Sequence, residues 1–432
     1  MNERMLPEAF TERMSRQLGN ELPLFLQCYN EPYLRGIRYN PLKVTEHPDL
    51  PPVLWARDAY ELPADSDAGA TVMHEAGAFY LQEPGAMLPA AVMDARPGER
   101  ILDLCAAPGG KSTQLGCAMR GEGLLICNEP VPKRAKILSE NIERMGISNA
   151  IVVSAYPDAL AERMPGCFDG VQVDAPCSGE GMFRRHPETI GEWSPEMAAG
   201  CSGRQTEILN EAARLVRPGG RIVYSTCTMN PEENEGVIER FLKEHPEFTS
   251  EPFSLPGASA PDGMLTCYPH RMRAEGHFTA KLRRGGDAPR GEIAARPFPA
   301  PTKEQKALLR AFCGDAPEAD AVFGETLVSC GEIPDLKGIK VLRVGLHLGE
   351  ARGKLFIPDH AWSHAENPPC VERIGLNEKE ALLYCAGETI PHGGKGWVLV
   401  CCRGLALGFG KISDGMIKNH YPKGLRKALT RA

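Results

Sequence analysis

The sequence predicts a doubly wound, mainly parallel α/β sheet, and two observations carry that prediction. Short apolar runs of buried-strand length recur between residues 100 and 226, and the segments between them have helical periodicity. "RILDLCAA" (100–107) reads as the first strand and "GKSTQLGCAMR" (110–120) as the helix after it. "GLLICNE" (123–129) is the next strand and "VPKRAKILSENIERMG" (131–146) the next helix. "AIVVSA" (150–155), "GVQVDA" (170–175) and "GRIVYST" (220–226) follow as β-branched strands. Before the last of these, "RQTEILNEAARLV" (204–216) reads as a helix stopped by "RPGG" (217–220). "NPEENEGVIERFLKEH" (230–245) reads as a further helix, with acids where the helix dipole favours them.

The flanks have a different texture. Residues 1–72 combine a helical start with the proline-rich "HPDLPPVLW" (47–55) and read as a small N-terminal α/β region. The sheet domain takes residues 73–285. "RRGGDAPRGEIAARPFPAP" (283–301) is a linker by composition, placed at 286–303. "TKEQKALLRAFCG" (302–314) opens a smaller region, 304–370, with a helix. Residues 371–432 carry short strands, "GWVLVCC" (396–402) and "LALGFGK" (405–411), with no helical periodicity, as in a small β-barrel-like module. There is no internal repeat.

At 432 residues the chain is too long for one ordinary core, so two to four domains are expected. No apolar run approaches the roughly 20 residues that cross a bilayer. The start, "MNERMLPEAFTERM", lacks an apolar signal core, so the protein is expected in the cytoplasm and away from membranes. Its fifteen cysteines include no C-x-x-C pair, which argues for reduced thiols and against a structural metal. The net charge of −7 hides an asymmetry. From Pro391 onward Lys395, Arg403, Lys411, Lys418, Lys423, Arg426, Lys427 and Arg431 face a single acid, Asp414. A basic terminal module on an acidic body is a route to phosphate binding.

Sheets of this kind bind ligands beyond the carboxyl ends of their strands. "DLCAAPGGKST" (103–113) is the first strand-to-helix turn, where Gly109 and Gly110 let a ligand approach the backbone at a helix N-terminus. A phosphate loop is excluded because Cys105 stands where its first glycine belongs, and G-x-G-x-x-G is absent. The nucleoside-binding turn of a class I methyltransferase fits better, since S-adenosyl-L-methionine has no pyrophosphate. Glu129, about 20 residues further on at the end of the next strand, supplies an acid for both ribose hydroxyls. The expected cofactor turn is Cys105, Ala106, Ala107, Pro108, Gly109, Gly110 and Lys111, with Lys111 near the methionine moiety or a target base rather than solvated. Asp174 ends another strand at the rim, close to cofactor and substrate unless it merely caps the strand. Cys177 and Cys227 sit at the tips of two strands lining one crevice. Most other thiols read as buried filler, and spacing alone does not say which of these two would attack.

Four stretches, "DLCAAPGGKS", "DAPCSGEGMFRRHP", "YSTCTMNPEENE" and "YPHRMRAEGHFTAKL", together resemble the RNA cytosine-5 methyltransferases of the Nol–Nop–Sun family. "LPLFLQCYNEPYLRGIRYNPLK" (22–43) resembles the family's N-terminal RNA-contacting region. "LGFGKISDGMIKNHYPKGLR" (407–426) resembles the C-terminal PUA-like module of its bacterial 16S ribosomal RNA branch. The resemblance covers nearly the whole chain and is weakest across 286–370. It implies methylation of cytosine C5 with S-adenosyl-L-methionine, Cys227 as the nucleophile at C6 and Cys177 assisting release. Asp174 would bond N3 or N4 of the base, and the third-strand loop would face the adenine. There Tyr156 or Asp158 stands where the family carries an acid or amide.

Cytosine C5 and C6 are covered by stacking in a helix, so the target must be single-stranded or flipped out. "FRRHP" (183–187) and the basic C-terminal module are the expected RNA footholds. The expected partner is ribosomal RNA, free or within a 30S particle, and the chain is expected to act as a monomer. Transfer RNA methylation shares the same motifs. An inactive ribosome-assembly protein is opposed by the intact Cys177, Cys227, Asp174, Lys111 and Glu129.

Overall fold

A computed structural model describes residues 6–46, 48–293, 298–427 and 429. His47 of the proline-rich stretch, residues 294–297 of the linker and Arg431 of the basic tail lie outside the described residues. The N-terminal region comprises α1 (Glu8–Leu18), α2 (Leu22–Gln27), β1 (Arg35–Tyr39), β2 (Ala59–Leu62), the short α3 (Val72–Glu75) and β3 (Phe79–Leu81). Its strands form an antiparallel sheet in the order β2-β1-β3, so this sheet uses residues beyond 72.

The central layer follows α4 (Pro84–Met93) with β4 (Arg100–Asp103), α5 (Gly110–Met119), β5 (Leu124–Asn128), α6 (Pro132–Met145), β6 (Ala150–Ser154), α7 (Pro157–Arg163), β7 (Phe168–Asp174), α8 (Pro195–Leu215), β8 (Val216–Thr226) and α9 (Glu235–Glu244). Five of its strands, in the order β8-β7-β4-β5-β6, are parallel. The chain winds from β4 outward through β5 and β6, then returns to β7 and β8 on the other side. The switch point therefore falls between β4 and β7, where a crevice opens at the strands' carboxyl ends. Beyond come β9 (Phe248–Ser250), the hairpin β10 (Phe253–Leu255) and β11 (Ala258–Ala260), then β12 (Met264–Cys267) and β13 (His277–Arg284). β13 pairs antiparallel with β8, β9 and β12.

These strands are buried on both faces, which is why they read as near-continuous apolar runs. One face, with Leu102, Ile126, Ile151 and Val171, packs on Leu160 of α7, Leu209 of α8 and Phe241 of α9. The other, with Ile101, Leu125, Cys127 and Val152, packs on Met87 of α4, Leu115 of α5 and Ile142 of α6.

The remaining elements are α10 (Lys303–Phe312), β14 (Ala321–Phe323), β15 (Thr326–Ser329), β16 (Lys340–Val344), β17 (Leu346–Arg352), β18 (Leu355–Pro358), α11 (His360–His364), β19 (Glu372–Leu376), α12 (Glu378–Ala386), β20 (Ile390–Pro391), β21 (Gly396–Cys402), β22 (Leu405–Ser413) and β23 (Met416–Asn419). The C-terminal module is a five-stranded sheet, β19-β21-β22-β23-β20, against which α12 packs through Ala381, Tyr384 and Cys385.

Several sequence expectations need correction. The first strand stops at Asp103, and residues 104–109 form the turn. "RPGG" does follow the end of a helix, but it belongs to β8, as a bulge between the pairs Phe168–Val216 and Gly170–Arg221. The helix expected at residues 230–245 begins only at Glu235, because Asn230 to Asn234 form turns held by backbone bonds. The last 60 residues do contain a helix, α12, started by a capping box of Asn377 and Glu380. The region after the linker is not separate from the main sheet: β16 adds antiparallel to the β6 edge. That coverage protects an edge that would otherwise offer unpaired backbone groups. Among the described residues no helix is long and apolar enough to cross a membrane.

Candidate active site

The crevice holds a cavity of about 210 Å³, lined by the turn after β4, by Lys111 of α5, by Asp174 at the end of β7, and by Tyr80, Gln82, Glu83, Met182, Arg185 and His277. Cys105, Ala106, Ala107, Pro108 and Gly110 are all in its wall. Gly109 precedes α5 with φ of 114°, a left-handed conformation that L side chains resist. Asp103 is fully buried under the turn; Ser112 Oγ donates to its Oδ2 at 2.6 Å while Oδ1 has no partner. Burial pushes its carboxyl up to about 7. A buried acid with an unused oxygen suits the ammonium of S-adenosyl-L-methionine, and a helix N-terminus suits its carboxylate.

Lys111 is only 9% exposed, so it is not a solvated helix-start lysine. Its Nζ donates to Asp174 Oδ2 at 2.7 Å, and Ser225 Oγ donates to Asp174 Oδ1 at 2.9 Å. Burial opposes the Lys111 ammonium, but Asp174 outweighs it and the pKa rises, so the pair is ionic. Asp174 is thus held by two side chains of neighbouring elements, not used as a strand cap.

The two thiols of interest meet. Cys177 Sγ and Cys227 Sγ are 3.1 Å apart, and the Cys227 backbone N–H donates to Cys177 Sγ at 3.3 Å. The bond to Cys227, followed by burial, holds the Cys177 thiol well above its ordinary value. Cys177 therefore stays a thiol, and either sulfur can donate across the pair. All fifteen cysteines are free, and most are buried.

The loops that carry these thiols are tied by residues not singled out in the sequence. Glu233, buried, accepts from Ser178 N at 2.8 Å, Ser178 Oγ at 2.5 Å and Gln205 Nε2 at 3.1 Å. Glu180, equally buried, accepts from Met229 N at 3.1 Å and from Arg13 of α1 at 2.6 Å. Gly181 and Gly276 touch backbone to backbone: a Cβ on Gly181 would lie 2.0 Å from the Gly276 carbonyl. Glu233 stood in the sequence as one of several acids near a helix start. Only its burial distinguishes it, and no local pattern encodes that.

Glu129 is buried at the end of β5, with Val131 N donating to Oε1 at 2.9 Å and Arg134 3.2 Å from Oε2. It does not line the cavity among the residues named above, and neither do Tyr156 and Asp158. Tyr156 is 73% exposed and Asp158 is exposed. "FRRHP" is only partly a surface foothold. Arg184 is buried, pairing with Glu275 at 3.6 Å and donating to the Pro32 carbonyl, whereas Arg185 is exposed at the cavity.

This arrangement sits in a chain with close relatives along its whole length. Ribosomal RNA small subunit methyltransferase F of Aliivibrio fischeri is 31% identical, over 97% of both chains. The protein belongs to the RsmF family of methyltransferases. Its counterpart from Cronobacter sakazakii is also 31% identical, over 97% of this chain and 96% of its own. Family models match in chain order: the N-terminal domain of 16S rRNA methyltransferase RsmF over residues 6–84, 16S rRNA methyltransferase RsmB/F over 90–283, the first C-terminal domain over 311–365, and the RsmF PUA domain over 371–427. A methyltransferase homologue from Pyrococcus horikoshii has a solved structure at 26% identity, covering 65% of this chain and 96% of its own with a TM-score of 0.56. NSun6 from the same organism shares the fold at 21% identity and a TM-score of 0.55, over 65% of this chain and 99% of its own. As a member of this family the chain is a methyltransferase with S-adenosyl-L-methionine as cofactor.

Proposed function

We propose that this protein methylates C5 of cytosine in 16S ribosomal RNA through a covalent bond between Cys227 and C6 of the base. The observation that carries the reading is the 3.1 Å thiol pair beside the Lys111–Asp174 ion pair. C5 of cytosine is a poor nucleophile, and a sulfur added at C6 turns the ring into an enamine whose C5 is electron-rich. Cys227 makes that bond as its thiolate. Cys177, kept as a neutral thiol, donates its S–H to the Cys227 sulfur and stabilises it as anion and as leaving group. Asp174 accepts from the N4 amino group, and Lys111 behind it offsets the charge that builds on the ring. Both groups are fixed before the base arrives, so no reorganisation is needed during the reaction.

S-adenosyl-L-methionine supplies an electrophilic sulfonium methyl when bound. The turn 105–111 and Asp103 hold it, Glu129 takes the ribose, and Tyr156 or Asp158 borders the adenine. Phosphate attraction comes from Arg185 at the cavity and from the C-terminal module, where Lys411 and Lys418 are opposed on adjacent strands. Some of the module's other bases serve the fold: Lys427 pairs with Glu75 at 2.7 Å and Arg403 with Glu378 at 3.7 Å. One chain supplies every proposed site residue, consistent with a monomer working on rRNA, alone or in a 30S particle, in the cytoplasm.

Labelled S-adenosyl-L-methionine and RNA from cells lacking the gene test this. Label is expected in 16S rRNA as 5-methylcytosine, mapped by bisulfite sequencing. Label confined to transfer RNA would move the substrate, and no label in any RNA would sink the proposal. Cys177→Ala should leave the enzyme trapped on RNA as a covalent adduct, because attack and transfer proceed while release fails.

A further inference from the structure

The reaction proposed above needs a group to remove the C5 proton before the Cys227 sulfur can leave. Neither Cys177, which keeps its proton, nor Lys111, which is an ammonium, is suited to accept one. We propose, on the strength of the cytosine-C5 reading, that the imidazole of His277 is the base that takes the C5 proton in the release step.

Position is the first argument. His277 is buried, begins β13 and lines the same cavity as Lys111, Asp174 and the cofactor turn. In the β13–β8 register Thr279 lies opposite Ser225 and Phe278 opposite Thr226, where β8 ends one residue before Cys227. Alternate residues share a sheet face. His277 therefore falls on the face of Ser225, whose hydroxyl holds Asp174.

Protonation is the second. His277 Nδ1 lies 3.3 Å from Glu83 Oε2 and 3.4 Å from the Glu275 carbonyl. Glu83 accepts from three backbone N–H groups, those of Gly85, Ala86 and Glu275. Both neighbours of Nδ1 are acceptors, so Nδ1 carries the hydrogen and Nε2 the lone pair. Nε2 has no hydrogen-bond partner among the described residues. Three charged groups bear on the ring, Glu83 before α4, Lys111 on α5 and Asp174 on β7, together with the backbone carbonyl of Glu275 before β13. Burial is the largest influence and keeps the imidazole below its ordinary value, hence neutral. Gly85 leaves room for this dyad, since a Cβ there would lie 2.8 Å from Nδ1. A neutral histidine oriented by a carboxylate is the arrangement general-base catalysis uses.

The step balances. Nε2 takes the proton from C5, the C5–H electrons restore the C5–C6 double bond, and the C6–S bond breaks. Sulfur leaves on Cys227 as thiolate, and the imidazolium, paired with Glu83, later returns its proton to water.

RNA carrying tritium at cytosine C5 separates this step from the others in a single turnover. Wild type should transfer methyl and release tritium together. His277→Asn should transfer methyl at a near-normal rate, while tritium release lags by about 100-fold or more and a covalent adduct accumulates. The methyl burst itself reports a folded variant, and His277→Gln should behave alike. Methyl and tritium staying in step in both variants, whether fast or slow, would overturn the assignment. RNA with 5-fluorocytosine tests the underlying reading separately, because its adduct has no C5 proton to lose. Wild type failing to trap it would overturn the cytosine chemistry and this proposal together; trapping by wild type with no tritium lag in the variants overturns this proposal alone.

Discussion

The two ends of the row of strand tips, β8–β7 and β5–β6, are built differently. At the end that holds the thiols, Lys111, Asp174, Ser225, Cys177, Cys227, Ser178 and Glu233 make short bonds, all of them partly or wholly buried. At the other end Glu129 is fixed, but Tyr156 and Asp158 stand open to solvent. Groups that meet developing charge gain from being fixed in advance, since reorganisation would otherwise add to the barrier. A surface that only borders a bound nucleoside has no such demand. Chemistry should therefore be far more sensitive to substitution at the first end than binding is at the second.

The largest break comes from Cys227→Ala, which should abolish both methyl transfer and covalent adducts, seen by label incorporation and denaturing gels. Asp174→Asn should lower kcat by about 10²- to 10³-fold, as for loss of one preorganised electrostatic partner, with little change in cofactor affinity. Glu129→Gln should instead weaken S-adenosyl-L-methionine binding by roughly 10-fold, the scale of one charge-assisted hydrogen bond, with kcat nearly intact by calorimetry and saturation kinetics. Equal losses in kcat for these two variants would erase the contrast.

Asp103 sharpens the comparison through pH. Its folded-state value of about 7 lies above the ordinary 3.8, with burial as the cause. Between those values the folded chain holds a proton that the unfolded chain has lost, so stability falls as pH rises from about 4 to 7. Asp103→Asn should flatten that slope, by up to about 1.4 kcal/mol per pH unit, in denaturant titrations of the cofactor-free protein. The smallest effect belongs to Tyr156→Ala, which should change cofactor affinity by less than about 3-fold, near the limit expected for an exposed side chain.

Much of this was legible in the sequence. Each parallel strand showed itself as an apolar run, since both faces are covered, and α5, α6 and α8 showed helical patterns, whereas the short α7 was not read. The turn between β4 and α5 was legible because glycines at a strand-to-helix junction are a local signal. Local signals misled where context overrode them. "RPGG" has the composition of a stop but is absorbed as a bulge in β8. α12 has little amphipathic contrast, so its period was weak while its capping box was overlooked. Arg184 looked like an RNA contact and is an internal partner of Glu275.

The sequence by itself determined the order of the parallel strands, the glycine turn after β4 and which residues are chemically able to act. These depend on neighbours a few positions apart, and such information is local. The tertiary structure decided that Cys177 meets Cys227 across 50 positions, that Glu233 ties their loops, and that Arg13 anchors Glu180 from 167 positions away. It also decided which histidine faces the crevice with a free lone pair and which strand closes the sheet's edge. Burial and long-range pairing arise only when the layers pack, because the partners are chosen by the fold and not by the spacing along the chain.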